Sequence, residues 1–275
     1  VVLNGGNIND DEWHFITCLW DGVDQSIFID GNLAATQVVA NGPGNGLNRN
    51  IRIGRRLNSN SSFSGDIKNV GIWNTALTQS EIQQYMSCPP TGNEVGLVGY
   101  WNFEEGSGTT VLDQTSNGND GTINGAVYST DVPSQTCLGC TATDSVYVDV
   151  LDATIVQNDT AICFGDSVEL SVDGFNTNNL CTNNNYSLEF DGVDDYLEIP
   201  TISNYDTIVD QLTISSWVFL NPSFSTTGTV IARRDFVGNP TGERHHFEMT
   251  VFDDLSVFFS TANNQNNNLY TSQLG

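Results

Sequence analysis

The sequence predicts an all-β protein, and three observations carry that expectation. Among its 275 residues Asn, Asp, Ser, Thr and 26 Gly abound, while hydrophobic residues still make up 38%. That mixture is turn-rich yet apolar enough for a packed core. Apolar residues then recur as short alternating runs bounded by turn pairs, the mark of half-buried strands. Lastly, a single stretch carries the chemistry of a helix start.

In chain order, WHFITCLW (residues 13–20) is apolar on both faces and reads as a central sandwich strand. Asp21-Gly22 turns the chain, and SIFIDGNLAAT predicts a hairpin around Asp30-Gly31, a pair that favours a tight two-residue turn. A Gly/Asn/Pro loop over 41–50 leads to the short strand IRIG (51–54), and FSGDIKNVGIW (63–73) predicts one long strand or a strand pair. Thr78-Gln-Ser-Glu81 fits a capping box, with Leu77 and Ile82 placed as a hydrophobic staple. The helix should reach about Ser87 and stop before Pro89-Pro90. Between Cys137 and Cys181, DSVYVDV (144–150) and DSVELSV (166–172) alternate as strands. SLEFDGVDDYLEIP (187–200) predicts a hairpin about Asp191-Gly192, followed by strands in LTISSWVFL (212–220) and VIARR (230–234). FEMTVFDDLSVFFS (247–260) predicts a last hairpin about Asp253-Asp254.

Charge is extreme and uneven: 33 acidic against 8 basic residues, net −25. Arg49, Arg52, Arg55, Arg56 and Lys68 form one basic cluster and Arg233, Arg234 and Arg244 the other; 69–232 holds no Lys or Arg. Phosphates would be repelled over most of such a surface, which argues against nucleic acid as a partner. An acidic surface suits solubility and hard cations such as calcium. No apolar run approaches the ~20 residues of a membrane span, so no membrane insertion is expected. The opening residues carry neither Met nor a signal pattern, and the expectation is a piece of a longer protein. Cysteines stand at 18, 88, 137, 140, 163 and 181. Without a second CxxC to complete a zinc site beside Cys137-Leu-Gly-Cys140, disulfides in an oxidising compartment are favoured. The preferred pairs are Cys88 with Cys137, and Cys140 with Cys163 or Cys181; Cys18, mid-strand, reads as a buried thiol.

SLEFDGVDDYLEIP resembles the first hairpin of a laminin-G-like domain of the concanavalin A-like jellyroll superfamily. WHFITCLWDGVDQSIFIDG resembles that family's middle hairpin, and IWNTALTQSEIQQYM its late strand-turn-helix segment. GLVGYWNFEEGSGTTVLDQTSNGNDGTINGA (96–126) is a further family-like block. The resemblance implies a laminin-G-like jellyroll split across the chain ends: residues 1–136 as its C-terminal half and 186–275 as an N-terminal half. Residues 137–185 resemble immunoglobulin-like linker strands of giant Bacteroidota-type secreted surface adhesins. The reversed order leaves two arrangements open, one period of a tandem array sharing halves between copies and a closed circular permutant, with the array preferred.

The family resemblance also implies calcium at a sandwich rim. Asp113, Asn117, Asn119 and Asp120 supply oxygens on one Gly-relaxed loop, and Asp191, Asp194 and Asp195 on another, a set suited to calcium's many-oxygen shell. Beside this stands the plainer reading that Asn, Asp and Gly are turn residues. Other constellations fall short. In a strand, consecutive His245 and His246 point to opposite faces and cannot chelate jointly. Glu104-Glu105 lacks a partner carboxylate at strand alternation; no Glu-x-Asp-x-x-Glu strand and no Gly-x-Ser-x-Gly elbow occurs. No enzyme is predicted. Trp13, Trp20, Trp73, Trp101 and Trp217 read as core, with sugar stacking the alternative for any exposed one. Asp-Ser/Thr pairs mark Ser145, Thr160, Ser167 and Thr207 as candidate glycosylation sites, by resemblance to Bacteroidota-like secreted proteins. The function expected is a non-catalytic structural and adhesive repeat of a large secreted surface protein or filament. Its partners would be neighbouring copies and surface glycans. The alternative is a calcium-dependent carbohydrate-binding module.

Overall fold

The alternating runs become antiparallel strands in the computed structural model, which describes residues 8, 10–38, 50–56, 61–135, 184–200, 208, 210–235, 244–261 and 270–273. The low-numbered half supplies β1 (His14–Trp20), β2 (Asp24–Ile29), β3 (Asn32–Val38), β4 (Ile51–Ile53), β5 (Ser64–Trp73), helix α1 (Gln79–Ser87), β6 (Leu97–Trp101), β7 (Thr110–Val111), β8 (Gly121–Asn124) and β9 (Val127–Ser129). The high-numbered half supplies β10 (Ser187–Asp191), β11 (Tyr196–Ile199), β12 (Leu212–Leu220), β13 (Gly228–Asp235), β14 (Arg244–Val251), β15 (Val257–Thr261) and β16 (Tyr270–Gln273).

These strands form two antiparallel sheets, the two layers of a jellyroll sandwich. One runs β3-β2-β1-β12-β5-β10-β9, with β6 also paired to β5; the other runs β16-β15-β14-β13-β4-β11-β8-β7. The halves interleave. Strand β12 lies between β1 and β5, and β10 between β5 and β9, while β4 lies between β11 and β13. Residues 1–136 and 183–275 accordingly make one compact unit. A second unit, Cys137–Thr182, lies outside the described residues.

The burial of β1 on both faces has a structural cause. Ile16, Cys18 and Trp20 join the core between the sheets with Ile53, Ile72, Leu197, Ile214 and Phe259. Phe15 turns the other way, into a second cluster with Trp73, Trp217, Leu77 and Ile82 on the outer face, where α1 supplies the cover. The helix starts as its capping box requires: Glu81 N–H donates to Thr78 Oγ1, and Thr78 N–H to Glu81 Oε2. The staple residues Leu77 and Ile82 are both buried. Asp30 and Gly31, at φ +50 and +72, make the tight turn between β2 and β3.

One sequence expectation is overturned. Residues 187–200 are not a hairpin: β10 pairs with β5 and β9 in one sheet, and β11 with β4 and β8 in the other. The residues between them carry the chain from one layer to the other. Asp191 makes this crossing locally, its Oδ1 accepting Val193 N–H at 2.7 Å, an Asx-type turn that period-2 alternation cannot separate from a hairpin turn. The two basic clusters, far apart in sequence, meet where Arg52 of β4 stands opposite Ala232 of β13 and Ile51 opposite Arg233.

Candidate functional site: an acidic rim loop

The crossing from β10 to β11 brings together the carboxylates of Asp191, Asp194 and Asp195, with one oxygen of each within 4.8 Å of the others. Several contacts hold the loop. Asp195 Oδ2 accepts Asp191 N–H at 3.0 Å, Ser62 Oγ donates to the Val193 carbonyl at 2.8 Å, and Arg55 Nη1 donates to the Asp194 carbonyl at 3.2 Å. Ser62 and Arg55 flank β4 and β5, so the low-numbered half positions a loop of the high-numbered one.

Gly125 completes the fit from the turn after β8. Its φ is +92, and a Cβ there would lie 1.8 Å from Asp195 Oδ1. Glycine is required twice, for the backbone angle and for the close approach of the carboxylate. Burial, reinforced by the carboxylates of Asp191 and Asp194, pushes the Asp195 carboxyl above its ordinary range. Like charges held this close are relieved by a cation or by a proton.

The residues fit a hard cation. Asp191 Oδ1 and Asp195 Oδ2 accept backbone N–H groups, which fixes both side chains near each other in the loop. Asp191 and Asp194 are exposed and Asp195 half-buried, which leaves the group open to solvent on one side.

The other predicted oxygens serve the fold. Asp113 is buried, and its two oxygens accept from Tyr100 N–H, Thr115 N–H, Thr115 Oγ1 and Asn119 N–H. Asp120 Oδ1 accepts Asp113 N–H, while the side-chain amides of Asn117 and Asn119 both donate to the Val98 carbonyl. These bonds knot the 113–120 loop onto β6. Asp113 and Asp120 do not belong to the acidic group of the crossing.

The remaining predicted sites divide sharply. Ser145, Thr160, Ser167 and Thr207 lie outside the described residues, as do Cys137, Cys140 and Cys163. Cys88 is engaged in a disulfide whose partner is not among the described residues. Cys18 is a free, buried thiol within β1. His245 and His246 are consecutive on β14. Trp20, Trp73, Trp101 and Trp217 are buried, and Trp13 is half-buried with Nε1 donating to Asp131 Oδ1 at 3.2 Å. Among the described residues no helix is long and apolar enough to cross a membrane.

Sequence reasoning missed one polar centre, the ion pair of Lys68 and Glu104, 2.5 Å apart, whose lysine side chain is 1% exposed. Lys68 Nζ also donates to the Tyr186 carbonyl, and Glu104 accepts Asn185 N–H at 3.0 Å and Asn185 Nδ2 at 3.0 Å. The pair clamps the entry to β10 onto β5 and the turn after β6. A signal existed: Lys68 is the chain's lone lysine, set in the middle of a predicted strand.

Residues 1–83 match the family model Laminin_G_3, described as the concanavalin A-like lectin/glucanases superfamily. No curated protein and no solved structure matches the chain. The matched stretch covers β1 to β5 and most of α1, and it agrees with the sandwich seen in the structure.

Proposed function

We propose that this chain is a non-catalytic adhesion domain of a secreted surface protein, with calcium held in the Asp191–Asp195 loop and surface glycans as its partners. The observation that carries the reading is the convergence of three carboxylates within 4.8 Å on a crossing loop of a lectin-type sandwich. Calcium bound there would neutralise the repulsion among the three groups and offer open coordination positions to sugar hydroxyls.

Calorimetric titration with calcium and glycan-array binding with and without chelator test this. We expect calcium to bind the intact protein, Asp194→Asn to weaken it at least tenfold, and glycan binding to vanish with chelator. Chelator-insensitive glycan binding would leave adhesion without calcium, and absence of calcium binding would remove the metal from the reading.

A second reading, one repeat of a tandem array or filament, rests on the reversed order of the halves in the sequence. Because residues 1–136 and 183–275 of one chain already form one compact unit, an array would require these halves to exchange between copies. Bacteroidota-type surface adhesins are the proposed setting. There, glycans on Ser145, Thr160, Ser167 and Thr207 would appear as added mass on the natively secreted protein, and bare peptides at all four would remove them.

A further inference from the structure

The start of β1 carries a polar constellation that neither the calcium reading nor the glycan reading uses. His14 is the first residue of β1, and its side chain is only 11% exposed. Its Nδ1 lies 2.9 Å from Asp30 Oδ2, and its Nε2 lies 3.0 Å from Asp10 Oδ1. A neutral imidazole has one N–H and one bare nitrogen lone pair, whereas an ionised carboxylate only accepts. Both contacts can be hydrogen bonds only if both nitrogens carry protons, so the geometry describes an imidazolium between two carboxylates.

The carboxylates come from different parts of the fold. Asp10 belongs to the segment leading into β1, where Ile8 is buried in the core. Asp30 is the first residue of the β2–β3 turn, at φ +50, and its Oδ1 also accepts Phe15 N–H at 2.9 Å. The next residue, Gly31, offers its carbonyl to Gln79 Nε2 at 3.0 Å and Gln83 Nε2 at 3.1 Å, both on α1. The imidazole thus fastens the leading segment to a turn that α1 grips from the other side.

We propose that His14 is a pH-sensitive latch, which as an imidazolium ties the segment before β1 to the β2–β3 turn and on losing a proton lets one of the two carboxylates go. The charged groups that act on it are Asp30 and Asp10. Strand β12 presents Val218 opposite His14, and α1 reaches the turn through the uncharged Gln79 and Gln83. Asp11 and Glu12 follow Asp10 in the leading segment and add negative charge to it. Among the described residues, the ion pairs of Asp10 and Asp30 are those with His14, so no other cation there replaces the imidazolium once its proton leaves. Asp10 and Asp30 would then face a single N–H, and the more exposed Asp10, at 53%, is the one released.

The direction of titration agrees with the geometry. The Asp30 and Asp10 carboxylates hold the His14 imidazole above its ordinary range against the opposing effect of burial, and the His14 hydrogen bond holds Asp10 below its own. A histidine raised on folding contributes stability that is complete below its unfolded pKa, about 6.5, and is lost as pH rises through the folded value. The latch is therefore closed in mildly acidic solution and opens on the alkaline side.

Imidazole NMR on the full chain tests this, with His14→Gln assigning the resonance among the three histidines. At about pH 6 both His14 nitrogens should show the shifts of a protonated ring, and the titration midpoint should lie above that of a free histidine. The thermal midpoint of the wild type should fall between about pH 6 and about pH 8, and that decline should be at least halved in His14→Gln. A neutral His14 ring at about pH 6, or the same decline in the variant, would overturn the proposal. Should His14→Gln fail to fold, Asp10→Asn at the exposed end lowers the His14 midpoint if the latch exists; an unmoved midpoint overturns it.

Discussion

Asp66 shows how one side chain can set a pH dependence. It lies on β5, opposite Phe219 on one side and Glu189 on the other. Burial, with Glu189 and Asp131 adding like charge, raises its carboxyl to about 6, although Ser129 and Ser187 donate hydrogen bonds to it. A carboxyl raised on folding holds its proton more tightly in the native state, so native stability is lost as pH climbs from about 4 to about 6. Asp66→Asn should therefore match the wild type near pH 4 and exceed it by about 1–2 kcal/mol near pH 7, read from denaturant midpoints. Equal stability at both values would show the carboxyl ionising normally. At this scale the sequence was partly legible. The acidic residues of 191–195 stood out because three fell within five positions, whereas Asp66, Lys68 and Glu104 acquire their roles from partners on other strands. Asp113 could not be sorted from sequence, because a calcium ligand and a loop-knotting carboxylate have the same composition.

Among the elements, α1 was readable to the residue because its start is decided locally. The capping box satisfies backbone donors that the first turn leaves open, and no distant strand can alter that need. Thr78→Ala removes the acceptor for Glu81 N–H and the hydroxyl bond to Glu81 Oε2. The expected loss is about 1 kcal/mol in chemical denaturation, with the fold retained. A loss below a few tenths would mean that the packing of Leu77 and Ile82 alone sets the helix start. The crossing from β10 to β11 was misread for the opposite reason. Alternation marks which residues face the core, and it is the same whether the next strand pairs beside the first or joins the facing layer. Only partners resolve it, and those partners, β4, β5, β8 and β9, all come from the other half.

For the whole molecule, the interleaving of two distant halves explains both the fold and the place of the candidate site. Removing residues 183–275 takes β12 from between β1 and β5, β10 from between β5 and β9, and β11 from between β4 and β8. The core would be opened at Leu188, Leu197, Ile214 and Val218, each buried in the sandwich. Neither half has a closed hydrophobic face, so neither should fold alone. The rim loop follows the same logic, because Asp191, Asp194 and Asp195 are positioned by Ser62, Arg55 and Gly125 from the first half. The β-strands of the two halves were legible in the sequence. How they pair was not, because register between strands over a hundred residues apart depends on packing that no local pattern encodes.

The most direct measurement is therefore complementation of separated halves. Residues 1–136 and 183–275, produced as two chains, should each lack the dispersed amide spectrum of a folded sandwich. Mixed, they should give one folded one-to-one complex with the dispersed amide spectrum of the intact chain. A dispersed spectrum from either half alone, or no association on mixing, would contradict the account.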